Sequence, residues 1–132
     1  MSLQRGWDLT QARFYTGIPE RRGNPRLHHH WTSRLRRMRA EGVVVTARPL
    51  RRRRRRARLD DGEAVEFTVF EEKGVDVRIA LDVVRALLAR ACDVVLLFSQ
   101  DQDFAELADE VRAIAREQQR WLKIASAYPR IR

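Results

Sequence analysis

Cysteine is nearly absent: Cys92 is the single one in 132 residues. No disulfide can close within the chain, and the setting expected is a reducing, cytoplasmic one. No stretch approaches the ~18 consecutive apolar residues of a membrane span. The opening Met1-Ser2-Leu3-Gln4-Arg5-Gly6-Trp7 lacks the apolar run of a secretory signal, so no membrane partner is expected. There is no Gly-x-Gly-x-x-Gly or Walker-type loop, which argues against nucleotide-cofactor binding. No Ser/His/Asp or Cys/His arrangement points to nucleophilic catalysis. Acid is also scarce relative to base: 18 Asp and Glu against 27 Lys and Arg leave a net charge of +9. That excess points to a polyanionic partner, with nucleic acid ahead of an anionic membrane surface.

What is present suffices for one domain spanning residues 1–132. Apolar residues make up 44% of the chain, enough for a core. Residues 13–16, aromatic and β-branched, predict a strand, and 19–26 a loop on their Pro, Gly and Asn content. Leu27, Trp31, Leu35 and Met38 recur at helical spacing and predict a helix to Glu41, with Gly42 where a C-terminal cap belongs. A β-branched strand is expected at 43–46. From Arg48 the pattern breaks into an Arg-rich insertion at about 48–62, with Arg51, Arg52, Arg53, Arg54, Arg55 and Arg56 in succession. Like charges repel, so a mobile or extended loop is expected there. Residues 65–70 alternate as a short edge strand would, and 75–91 read as an amphipathic helix. Residues 94–98, Val-Val-Leu-Leu-Phe, have the composition of a strand buried on both faces. A helix over 104–118 and a strand over 121–125 complete an α/β alternation, which implies parallel pairing.

Two carboxylates, Asp101 and Asp103, follow the 94–98 strand directly. Asp103 with Glu106 has the spacing of a capping box, and one cap needs one Asp. Asp101 is then left at the carboxyl end of a strand, where open α/β sheets bind ligands. Asp76 falls in the first turn of the 75–91 helix, where the macrodipole favours negative charge. Asp82, six residues on, can support the site by hydrogen bonding from behind. Three carboxylates on one sheet edge suit Mg²⁺ or Mn²⁺, hard ions that prefer oxygen. His28, His29 and His30 are adjacent on a helix and point about 100° apart, so they cannot together chelate one ion.

These motifs resemble the NYN domain family, whose members have a PIN-like fold and are related to metal-dependent ribonucleases. The resemblance rests on Lys73-Gly74-Val75-Asp76-Val77, Asp82 and Ser99-Gln100-Asp101-Gln102-Asp103-Phe104. Tyr15-Thr16-Gly17-Ile18-Pro19 and the segment from Trp121 to Pro129 add to it. It implies a three-layer sandwich with a mainly parallel sheet and an acidic pocket in which Asp76, Asp101 and Asp103 hold Mg or Mn. Lys73 would stabilise phosphate charge, with Asp82 and Ser99 as supporting groups. The family's first strand, which ends in a further acidic ligand, has no counterpart before residue 13. An N-terminally truncated sheet is therefore expected, which a second copy or a partner strand would complete.

The basic side chains supply the other half of the reading. Arg34 and Arg37 lie opposite the apolar stripe of their helix, and the run 51–56 adds a dense block. Neutralising phosphates with such groups gives affinity rather than sequence choice. The expected function is metal-dependent hydrolysis of RNA phosphodiesters, provided that the acidic pocket is complete. The alternative is a non-catalytic RNA-binding or interaction remnant of the same fold.

Overall fold

The computed structural model describes residues 6–99 and 104–128. Contacts divide the chain into two units, Met1–Val75 and Asp76–Arg132, and each is taken by itself.

In the first unit, strand β1 (Arg13–Ile18), helix α1 (Pro25–Ala40) and strand β2 (Val44–Pro49) form a βαβ element. β1 and β2 pair in parallel, Arg13 opposite Val44 through Ile18 opposite Pro49, as the strand–helix alternation predicts. α1 starts two residues before the predicted Leu27. Asn24 is its N-cap, accepting from the Leu27 N–H at 3.1 Å, and Pro25 takes the first-turn position where its missing N–H costs nothing. At the other end Gly42 adopts φ +93°. The Val43 and Gly42 N–H groups then return to the Met38 and Arg39 carbonyls, closing the last turn. Leu35 is the fully buried residue of α1.

β3 (Arg51–Arg58) and β4 (Ala64–Glu71) follow as an antiparallel hairpin, Arg51 opposite Glu71 through Arg58 opposite Ala64. The segment expected as a loop insertion at 48–62 is thus largely a strand. Extended backbone sends successive arginines to opposite faces, which separates like charges, and the partner strand supplies Phe, Val and Thr together with two glutamates. Gly62, at φ +89°, completes the turn, and its N–H meets the Leu59 carbonyl at 2.9 Å. All eight β3 residues are exposed.

The second unit comprises helix α2 (Val75–Leu88, whose first residue belongs to the preceding unit), strand β5 (Val94–Phe98), helix α3 (Phe104–Gln118) and strand β6 (Lys123–Ala127). β5 and β6 pair in parallel, Val94 opposite Lys123. Leu87, Phe104, Leu107, Val111 and Ile114 form the core, with Val95 and Leu97 packed against it. The expectation that β5 is buried on both faces does not hold: Leu96 and Phe98 are 41% and 81% exposed. Val95 and Leu97 pack against the core of this unit, and the alternate residues point to the opposite face. α2 ends at Leu88, three residues before the predicted Ala91, because Arg90 turns left-handed at φ +57°. β6 begins at Lys123 rather than Trp121. Among the described residues no helix is long and apolar enough to cross a membrane.

Candidate functional site

An open cleft of about 570 Å³ lies at the carboxyl ends of β1 and β2, lined by Glu20, Arg48, Leu50, Arg51, Arg52 and Lys73 among others. Four cations face one carboxylate there. The position follows from the chain: β2 ends on Arg48-Pro49, Leu50 donates its N–H to the Ile18 carbonyl at 2.9 Å, and β3 leaves with Arg51. Glu72 fixes the other wall. Its Oε1 accepts from the Gly17 N–H at 3.2 Å, tying β1 to the segment that carries Lys73. Gly17 allows this approach, since a methyl group there would overlap the Leu50 and Glu72 side chains and force them to shift. Sequence reasoning selected Lys73, Arg51 and Arg52 but missed Arg48, Glu72 and the Gly17 contact. Arg48 was detectable as the last charged residue before a strand-ending proline.

The acidic residues are reported from their own unit. Asp76 is exposed in the first turn of α2. Asp82 is half-buried and its Oδ1 accepts from Arg78 Nη2 at 2.6 Å and Nε at 2.9 Å, an ion pair one helical turn apart. Ser99 is half-buried immediately after β5. Asp101 and Asp103, and with them the capping box to Glu106, lie outside the described residues. Among the described residues no group of three His, Cys, Asp or Glu side chains is placed to hold a metal. Asp76 is an exposed carboxylate, the donor type that a hard divalent ion takes.

Cys92 is no candidate nucleophile. Burial pushes its thiol pKa up, Asp93 adds to the effect and Arg120 opposes it, so it stays protonated at neutral pH.

α1 carries a second basic surface. Arg26, His29, His30, Ser33, Arg34 and Arg37 recur at helical spacing along a shallow groove of about 310 Å³. The Arg34 guanidinium sits 5.8 Å from the Trp31 ring centroid, which holds it over an aromatic face. His28 turns away from this groove, its Nδ1 2.9 Å from the Pro19 carbonyl oxygen. The three histidines therefore do not converge, as their spacing predicts.

On the hairpin, Glu71 binds Arg55 at 2.6 Å and Arg53 at 3.4 Å, and Glu66 binds Arg56 at 3.0 Å. The Arg55 hydrogen bond is the main reason that the Glu71 carboxyl pKa lies below its ordinary value, with Arg53 adding to it and partial desolvation opposing. Arg52 reaches Glu20 at 4.0 Å across the mouth of the cleft.

The family model described as the NYN domain matches residues 2–119. Comparison with curated proteins and with solved structures returns no match.

Proposed function

The chain belongs to the NYN domain family, a nuclease-like family of PIN-like α/β fold, and from that premise we propose that it hydrolyses RNA phosphodiester bonds with a divalent cation. The observation that carries the reading is the basic cleft at the carboxyl ends of a parallel strand pair, in a chain matching a nuclease-like family over 2–119. Asp76, Asp101 and Asp103 would hold Mg²⁺ or Mn²⁺. When bound, such an ion supplies an activated water and neutralises charge on the phosphate.

The remaining work falls to this chain's own side chains. Arg48 and Arg52 draw the phosphodiester into the cleft by charge. Lys73 Nζ, a compact cation, donates to a non-bridging phosphate oxygen and offsets the charge that grows there as water attacks. Glu72 keeps the Lys73 segment against β1 through the Gly17 N–H. Arg34 and Arg37 on α1 hold neighbouring phosphates without reading bases.

A second reading has its own support. The described residues present two basic grooves, and such surfaces suit an RNA-binding member without catalysis as well. Incubating the protein with end-labelled single-stranded RNA in Mn²⁺, Mg²⁺ or EDTA separates the two. Cleavage in metal alone, reduced by more than about 100-fold in both Asp76→Asn and Asp101→Asn, is expected. Salt-sensitive binding with no cleavage by the wild-type chain would establish the second reading in its place.

A further inference from the structure

The register of the β3–β4 hairpin sorts its arginines into two unequal faces. Residues directly opposite in an antiparallel pair share a face, and the side-chain period is two. One face therefore carries Arg51, Arg53 and Arg55 with Phe67, Val69 and Glu71, and Glu71 binds both Arg53 and Arg55. The other carries Arg52, Arg54, Arg56 and Arg58 with Thr68, Glu66 and Phe70. There only Arg56 is paired with an acid of the hairpin. Among the described residues no carboxylate pairs with Arg54 or Arg58. Each face carries an exposed phenyl ring that the core does not use, Phe70 opposite Arg52 at 48% on this one and Phe67 opposite Arg55 at 43% on the other. Arg52 lines the cleft that contains Lys73, together with Arg51 from the other face.

We infer that the Arg52–Arg54–Arg56–Arg58 face of the hairpin is a track for single-stranded RNA. Its arginines hold successive phosphates, Phe70 stacks one base, and Arg52 delivers the strand to the Lys73 cleft. The inference deepens the function proposed above and rests on its RNA substrate. Guanidinium groups on alternate residues repeat every ~6.7 Å along an extended strand, comparable with successive phosphates of an extended single strand. Duplex bases are already stacked on each other, so an exposed phenyl ring beside the cations favours an unpaired strand over a helix. An anionic membrane would satisfy the same charges but gives no use to the alternation, because lipid headgroups have no fixed spacing.

The test compares two double variants of one strand. Arg54→Gln/Arg58→Gln removes the unpaired cations of the proposed track, and Arg53→Gln/Arg55→Gln removes the pair held by Glu71. Binding of a fluorescein-labelled single-stranded RNA is titrated in EDTA at several salt concentrations, so that cleavage plays no part. The first double is expected to flatten the log–log salt slope by about 1.4, since each phosphate contact on a single strand contributes ~0.7. The second is expected to change it by less than half of that. Phe70→Leu, which keeps the site apolar, is expected to weaken binding about five-fold or more while leaving the slope unchanged. Equal effects of the two doubles with wild-type RNA binding intact would overturn the track and leave the proposed nuclease function standing. Absence of RNA binding by the wild-type protein would end both. Binding to phosphatidylserine–phosphatidylcholine vesicles in preference to RNA, lost in the first double, would overturn the track in favour of a lipid surface.

Discussion

The β3–β4 hairpin and the core built by α2, β5, α3 and β6 divide two jobs that small domains usually mix. Every residue of β3 is exposed, whereas Leu87, Val111 and Ile114 are no more than 2% exposed. Ion pairs as exposed as those of the hairpin add little to stability, because solvent screens them. A fully buried aliphatic side chain contributes about 1.5–3 kcal/mol through burial alone. Charge and stability are therefore carried by different segments, and arginines can accumulate in the hairpin without being built into the core. The difference teaches that a run of like charges needs only an extended backbone and a partner strand, not a hydrophobic anchor.

The strongest way to break that contrast is to damage the core. Ile114→Ala is expected to cost about 2–5 kcal/mol, the range for truncating a buried aliphatic residue. Urea unfolding followed by circular dichroism measures it, and the RNA salt slope of the folded variant should match the wild type. A loss below about 1 kcal/mol would mean that Ile114 is not a core residue.

A smaller effect is expected at Arg120, a charged residue that behaves as part of the core. Its guanidinium donates to the Leu87 carbonyl at 2.8 Å, the Cys92 carbonyl at 3.2 Å and Asp93 at 2.7 Å. The side chain is only 15% exposed. It thus ties the end of α2 to the segment before β5, sharing the Leu87 carbonyl with the Arg90 N–H. Arg120→Ala is expected to cost about 1.5–3 kcal/mol, since hydrogen bonds to a charged donor are lost and the acceptors stay behind. The same urea transition reads it, and an unchanged midpoint would show that water replaces the guanidinium.

Arg120 also marks where sequence reasoning stops. Local signals were legible: β5 and α3 have the bounds that their composition and period predict, and Gly42 caps α1 as read. Both parallel pairs follow from the alternation of strands and helices. What escaped depends on partners far away in the chain. Nothing near Arg120 reveals a bond to Leu87, and nothing near Gly17 reveals that Glu72 approaches its N–H. Repulsion alone predicts a loop for the arginine run, whereas Glu66 and Glu71, on the strand that returns, allow it to be a strand. Asp76 lies in the first turn of α2, the position its sequence context predicts. Asp82 was read by its spacing, but its ion pair with Arg78, four residues earlier, was within reach of the same helical arithmetic. Arg48 stands out only by its place before the strand-ending Pro49, since its charge has no contrast beside a run of six arginines.

The finest test of the hairpin lies at Glu71, whose carboxyl is held below its ordinary pKa of 4.5, first by the Arg55 hydrogen bond and then by Arg53. For an acid with a lowered folded pKa, the pairing contributes its full stability above the unfolded value. The contribution is lost only as pH falls through the lower, folded one. Moving from neutral to mildly acidic solution therefore leaves Arg53 and Arg55 restrained. Following the Glu71 side-chain carboxyl carbon by NMR should place its midpoint below 4.5 in the wild type. In Arg53→Gln/Arg55→Gln that midpoint should return toward the ordinary value. Glu71→Gln frees both guanidinium groups at every pH. The quieter face then becomes more like its neighbour, and the RNA salt slope should steepen by about 0.7 for each freed cation that finds a phosphate. A slope identical to that of the wild type would mean that Glu71 restrains neither arginine in solution. The two faces would then carry comparable free charge, and the preference for one of them would be lost.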